Sequence, residues 1–272
     1  LKQFKPKDEV FSMGAPRREP GRRANEAEKL IQLKRPFYFA LTETSNKEYR
    51  QWKSEHNSSS IRGLSLDLND QPVSNIAWQD AALFCNWLSE KENLPKFYNV
   101  VGDRVTSINW DSNGYRLPTE SEWSWVAKVT KAGSTKVFPW NSPSYPPPFV
   151  SGNYADESAK SMLPFTISNY NDSFPVSASV GSFQPNEKGI FNLSGNVAEW
   201  VNDFYEIRVN KSEPLVDYRG PNTGNRHVIR GASWALGSRS ELRLSYREPG
   251  YDGKIDVGFR IARYVDKPKG DL

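Results

Sequence analysis

Gly189-Ile190-Phe191-Asn192-Leu193-Ser194-Gly195-Asn196-Val197-Ala198-Glu199-Trp200 gathers two glycines, two asparagines, a glutamate and a terminal tryptophan into one turn-like segment. Gly195 is free to take backbone angles closed to other residues and so to turn carbonyls inward. Asn192 and Glu199 add side-chain oxygens, a donor set that suits a hard cation such as calcium. The same residues also read as a Gly-Asn turn in which Glu199 caps a local amide and Trp200 is core. The segment alone does not choose between the two.

Outward from it, the flanks alternate between capped helices and short strands. Ser45-Asn46-Lys47-Glu48 and Thr119-Glu120-Ser121-Glu122 are capping boxes, so a helix should start at each. A further helix is expected from about Trp78 to Lys91, with Ala81, Ala82, Cys85 and Leu88 facing inward. Phe11–Gly14 reads as a strand running into a turn, and the Arg/Glu/Pro/Gly-rich stretch to about Glu28 as an exposed loop. Leu30 to Leu41 reads as a strand with Phe37 and Phe39 on one face and Tyr38 on the other. Arg230–Trp234 and Gly258–Ala262 look like closing strands. Between Phe138 and Gln184 no period is visible, and so long an irregular stretch calls for some other stabiliser, bound metal among the candidates.

Composition narrows the chemistry. The chain has 272 residues with no repeat and no low-complexity linker, and residues 1–272 are expected to form one domain. Aromatics reach 13 %, with nine Trp against two Met, so the core is built on rings rather than on aliphatic helix stripes. Cys85 is the only cysteine, which excludes an internal disulfide, a cysteine zinc site and dithiol chemistry within the chain. With only His56 and His227, a His-rich metal site is excluded too. The net charge of +4 is spread along the chain, and the densest basic cluster, Arg17-Arg18 with Arg22-Arg23, reads as a solvated loop. No nucleic-acid partner is therefore expected. No apolar run reaches membrane-spanning length. The chain starts without Met or a signal-like segment, so it is expected to begin inside a longer gene product.

The order Phe11–Gly14, Pro36–Tyr49, Pro72–Trp87, Gly114–Trp125, Phe138–Trp140, Gly189–Trp200, Arg230–Trp234 and Gly258–Ala262 resembles the formylglycine-generating enzyme, or sulfatase-modifying factor, family. The runs Arg-Leu-Pro-Thr-Glu-Ser-Glu-Trp and Gly-Asn-Val-Ala-Glu-Trp carry most of its specificity. The resemblance covers nearly the whole chain and implies an α/β (α+β) domain of complex C-type-lectin-like type with little regular secondary structure. It implies two structural calcium sites, one at Asn153, Tyr154, Asp172 and Phe174, the other at Asn192, Gly195, Val197 and Glu199. Ser173 stands where a glycine is common in the first of these, and the loop there is longer.

The family's chemistry does not transfer. Members that make formylglycine use a copper-binding cysteine pair just after an Arg-Gly-Gly-Ser segment, and the matching positions here are Leu236 and Glu241. Leucine cannot ligate Cu(I), which prefers thiolates, so no copper is expected. What remains is a candidate ligand groove of Ser233, Trp234, Leu236, Arg239, Glu241, Arg243 and Arg247, with Tyr246 beside it. An aromatic among guanidinium groups suits a peptide, carboxylate or phosphate. Arginines at a spacing of four also read as one solvated face with Trp234 packed inside.

Three function classes follow. The first is a non-catalytic, calcium-stabilised binding or accessory module for a peptide or protein partner. The second is a divergent oxidoreductase, similar to family members of pyoverdine maturation or nitrite-reductase gene clusters. The third is a structural domain of a larger protein. An extracytoplasmic, periplasmic or lipoprotein-anchored location is expected if an export signal precedes Leu1.

Overall fold

A computed structural model describes residues 1–266. Two four-stranded sheets send side chains into one large aromatic core. The first sheet orders Lys2–Phe4, Phe37–Phe39, Ala262–Tyr264 and Tyr115–Arg116, all antiparallel. Phe37 and Phe39 are buried and Tyr38 is half-buried, the alternation read from the sequence. Phe4 and Phe37 meet Trp125 edge-on at 5.7 and 6.2 Å.

The second sheet orders Arg247–Gly250, His227–Arg230, Ala198–Phe204 and Val257–Phe259, the last pair parallel. Its central strand begins inside the Gly189–Trp200 stretch, so that stretch is turn to Val197 and strand from Ala198. The turn-like expectation for the whole segment is thus corrected. Trp200 and Val201, both fully buried, favour the pleated surface over a turn.

A third sheet pairs Asn210–Val216 with Lys29–Gln32 in parallel and Lys29–Gln32 with Val10–Met13 in antiparallel sense. The expected Leu30–Leu41 strand therefore divides between two sheets. Pro36 lies in the break, where its missing N–H is harmless. The hairpin of Tyr98–Val101 with Arg104–Ile108 was not anticipated; Gly102 turns it with φ +59.

Three helices pack on this frame: α1 (Asn46–Tyr49), α2 (Trp78–Lys91) and α3 (Glu120–Lys128). Ser45/Glu48 and Thr119/Glu122 form both reciprocal bonds of a capping box. Glu122 is also gripped by Arg116 through two bonds of 2.6 and 2.7 Å, which ties the helix entrance to the strand before it. Helix α2 has no side-chain cap and is held by burial of Trp78, Ala81, Ala82, Phe84 and Cys85. Trp78 Nε1 donates to the Val201 carbonyl at 2.9 Å.

The Phe138–Gln184 region contains one short 3₁₀ turn, Glu157–Ala159, and no other regular element. It builds its own small cluster, in which Phe138 stacks on Trp140 at 4.6 Å and Tyr154, Ile167 and Tyr170 close the sides. The loop before Glu28 is not simply solvated: Glu26 and Ala27 are buried, and Glu26 is held against Arg243.

Candidate metal and ligand sites

The irregular region brings the first oxygen cluster together. Asn153 is fully buried, and its Nδ2 donates to the Val176 carbonyl at 2.9 Å and to Asn196 Oδ1 at 3.2 Å. That geometry leaves Asn153 Oδ1 buried with no hydrogen-bond partner. Asp172 accepts the backbone N–H groups of Tyr154 and Phe174, each at 2.9 Å. A buried Asp156 carboxylate, missed in the sequence, takes the Asp172 N–H. Burial pushes the Asp172 carboxyl up to about 7, and the Asp156 charge adds to the rise. No cationic side chain is ion-paired with either carboxylate among the described residues. Ser173 holds φ +72, the left-handed backbone that glycine tolerates best. An orphaned amide oxygen on the residue before Tyr154, and two close carboxylates of which one holds the Tyr154 N–H, are groups that a hard cation would relieve.

The second cluster is different. Asn192 Oδ1 is also buried and unpartnered. Glu199, however, is already matched: Arg260 binds it at 2.6 and 2.8 Å, and Trp123 Nε1 donates to it at 2.8 Å. Its charge is answered by a guanidinium rather than left for a metal. The carboxylate without such a match is Glu43, which accepts from Asn192 Nδ2 at 3.2 Å and Asn196 Nδ2 at 3.0 Å. Burial raises the Glu43 carboxyl to about 7. Glu43 precedes the first capping box, and nothing in its local sequence marks it as more than a helix approach.

Gly195 does not supply the unusual backbone angles. Asn192, Ser194 and Asn196 do, with φ of +56, +63 and +64. Gly195 is needed for closeness instead, since a Cβ there would lie 3.2 Å from Tyr154 Cε1 and 3.5 Å from the Asn153 backbone. It joins the two clusters. Val197 turns its side chain into an apolar group with Trp234, Leu66 and Val176. Among the described residues no three His, Cys, Asp or Glu side chains converge as a metal cluster, so any cation here would rest mainly on amide and carbonyl oxygens.

The candidate groove does not hold together as expected. Ser233 is buried and its hydroxyl donates to Asp256 at 2.7 Å, and Trp234 is core. Arg243 is fully buried, bonded to Glu26 and, at 2.8 Å, to Glu19. Arg247 grips Glu120 at 2.7 and 2.9 Å, and Arg230 approaches the same carboxylate at 3.3 Å. Neither a solvated face nor a ligand groove describes Arg243 and Arg247. The spacing of four misled because the segment from Ser238 to Tyr246 is a series of turns, not a helix. Only Leu236, Arg239 and Glu241 of the set are partly exposed. Glu241 receives the Ser238 N–H at 2.9 Å and pairs with Arg23 at 3.5 Å. Arg239 lies 6.0 Å from the rings of Phe138 and Tyr145. Cys85 is fully buried, and burial drives its thiol far up.

With this geometry in hand, relatives can be compared. Residues 9–265 match the model of the sulfatase-modifying factor enzyme 1-like domain. The chain is 30 % identical over 253 residues to the chaperone protein LppX of Paenibacillus barcinonensis, covering 84 % of this chain and 80 % of LppX. It is 27 % identical over 207 residues to the formylglycine-generating enzyme of Streptomyces coelicolor, covering 74 % of this chain but 55 % of that enzyme. The chain thus spans about half the length of that enzyme. Among solved structures, the Treponema denticola variable protein 1 superposes with a TM-score of 0.72 at 24 % identity, covering 97 % of this chain and 94 % of that one, and so shares the fold. The capping boxes, the Glu199–Arg260 pair and the sheet that carries them all lie inside the family match, and the chain belongs to the sulfatase-modifying factor enzyme 1-like family.

Proposed function

We propose that this domain is a calcium-stabilised binding or accessory module for a peptide or protein partner and does not make formylglycine. One observation carries the reading. At the two positions matched to the family's thiols, Leu236 packs beside the Phe138–Tyr170 cluster and Glu241 accepts backbone N–H groups of its own turn. The only thiol of the chain, Cys85, is sealed in the core and cannot stand in. The relative named as a chaperone supports a protein partner. The surface left for it is the patch of Leu236, Arg239 and Tyr145, whose hydroxyl is fixed to the Gly237 carbonyl at 2.7 Å. Calcium is assigned first to Asn153 and Asp172 with the Tyr154 and Phe174 backbone, where the orphaned oxygen and unmatched carboxylates lie, and then to the Asn192 turn.

A cysteine peptide of sulfatase type, incubated with the protein with and without copper, tests the reading by mass spectrometry. The peptide is expected to keep its thiol mass. Conversion to an aldehyde would overturn the proposal. For the binding face, a photo-crosslinker at Leu236 in the native host is expected to trap one defined protein, and Arg239→Glu to abolish the adduct. Trapping that is indifferent to Arg239 would move the partner to another face.

A further inference from the structure

A cleft of about 680 Å³ lies away from all these positions. It opens between the start of α2, the Arg104–Ile108 strand and the end of the Ala198–Phe204 strand, and shares no lining residue with the Leu236–Glu241 patch. Its size suits a small organic molecule. One wall is a rigid aromatic stack: Trp78 lies flat on His227 at 3.5 Å and 7°, and Phe204 backs His227 at 4.3 Å. His227 Nδ1 lies 3.1 Å from the Asn202 carbonyl, which fixes the ring. Trp110 also forms part of the lining.

The polar lining has one sign. Arg104 and Arg219 both border the cleft, and no Asp or Glu lines it. Arg219 rests over the Trp110 ring at 4.3 Å. Among the described residues no hydrogen bond or ion pair engages either guanidinium, in contrast to the buried arginines of this protein, which are all matched by carboxylates. A guanidinium placed over an aromatic ring and without other partners has N–H groups to offer an oxyanion. Asn222 and Asn225 add amide groups at the rim.

We propose that this cleft binds a small organic anion with a planar ring, the ring lodged against the Trp78–His227 wall and the carboxylate or phosphate held by Arg104 and Arg219. Carboxylate and phosphate share the chemistry, so both are offered as probes: 2-naphthoate beside neutral 2-naphthamide, and AMP beside neutral adenosine. Calorimetry is run on the full chain, with tryptophan fluorescence as a second readout because Trp78 and Trp110 line the site. At least one anion is expected to bind saturably, with its neutral counterpart roughly tenfold weaker or worse, and with affinity falling as salt rises. Saturable 2-naphthoate alone identifies a carboxylate ligand, and saturable AMP alone a phosphate one. The Arg104→Ala/Arg219→Ala double variant, which alters two exposed side chains and so should melt like the wild type, is expected to lose roughly tenfold in affinity. Ser107→Glu, which brings a negative charge to the lining, gives the same loss by a separate route. Neutral probes binding as well as anions, no saturation by either anion into the millimolar range, or unchanged affinity in both variants would each overturn the proposal.

Discussion

Two neighbouring clusters of buried oxygen, brought into contact at Gly195, handle their negative charge in opposite ways. At Glu199 the protein supplies the counter-charge itself, and Arg260 closes a bidentate pair inside the core. At Asp172 and Asp156 no cationic side chain among the described residues does so, and burial raises the Asp172 carboxyl to about 7. A site of the first kind is complete when the chain folds. A site of the second kind is completed from outside, by a proton or by a metal ion. The contrast separates what is structural in this domain from what depends on conditions.

The largest effect should come from breaking the internal pair. Glu199→Ala leaves Arg260 buried without its carboxylate, with only the Ala40, Leu41 and Phe191 carbonyls to accept from it, and loss of one member of such a pair costs about 3–5 kcal/mol. Chemical unfolding should show the same loss in calcium and in EDTA. A loss that is much larger in calcium than in EDTA would mean that Glu199 is a cation ligand after all and would erase the contrast. Arg243→Ala, which strands Glu26, should fall in the same range, although its place in the sequence suggests a surface residue.

Calcium should act at the other cluster. A ligand that binds only the folded state at a hundredfold excess over its Kd adds about 2.7 kcal/mol. Thermal unfolding of the wild type is therefore expected to shift upward with calcium and downward with EDTA. Asp172→Ala should remove the response, and Glu199→Gln should keep it. No calcium by elemental analysis and an unmoved melting temperature would leave protonation as the only way the Asp172 cluster is satisfied.

The sequence made some of this legible and hid the rest for physical reasons. Both capping boxes and the bounds of α2 could be read directly, because a cap and a helical period are local signals. The alternation of Phe37 to Phe39 was likewise local. Glu43 and Arg260 were not legible as neighbours of the organising turn, since each finds its partner far along the chain: 149 positions separate Glu43 from Asn192, and 61 separate Arg260 from Glu199. The arginines after Gly231 looked like a groove because short-range spacing cannot tell an exposed guanidinium from one bonded to Glu26 or Glu120 far along the chain. The Trp78–His227 wall was hidden for the same reason.

His227 sharpens the comparison at a smaller scale, being a half-buried titratable group with no ion pair among the described residues. Burial lowers its imidazole to about 4 from an ordinary 6.5. Between those values the unfolded chain binds more protons than the folded one, so this contribution to stability is full above pH 6.5 and is lost as pH falls through 4. The loss is on the order of 3 kcal/mol at the acid end. His227→Gln should flatten the profile over that window and leave stability at neutral pH little changed. An acid limb as steep as the wild type's would place the titration elsewhere, for instance on the carboxylates around Glu120.

The smallest effect on folding, and the one most useful for function, is expected at Arg239. Unlike Arg243, four residues on, it is partly exposed and faces rings rather than a carboxylate. Its contact with Phe138 and Tyr145 is at the outer limit for a cation over a ring, so Arg239→Ala should cost under about 1 kcal/mol. A partner that lies along Leu236 and the Tyr145 ring would nevertheless lose its charged contact. The expected result is a protein that melts close to the wild type yet binds its partner more weakly, with the wild-type interaction fading as salt rises. Should Arg239→Ala unfold the domain as is expected of Arg243→Ala, Arg239 belongs to the internal network, and the patch of Leu236 and Tyr145 is left with Glu241, whose carboxylate is already engaged by the Ser238 N–H and Arg23.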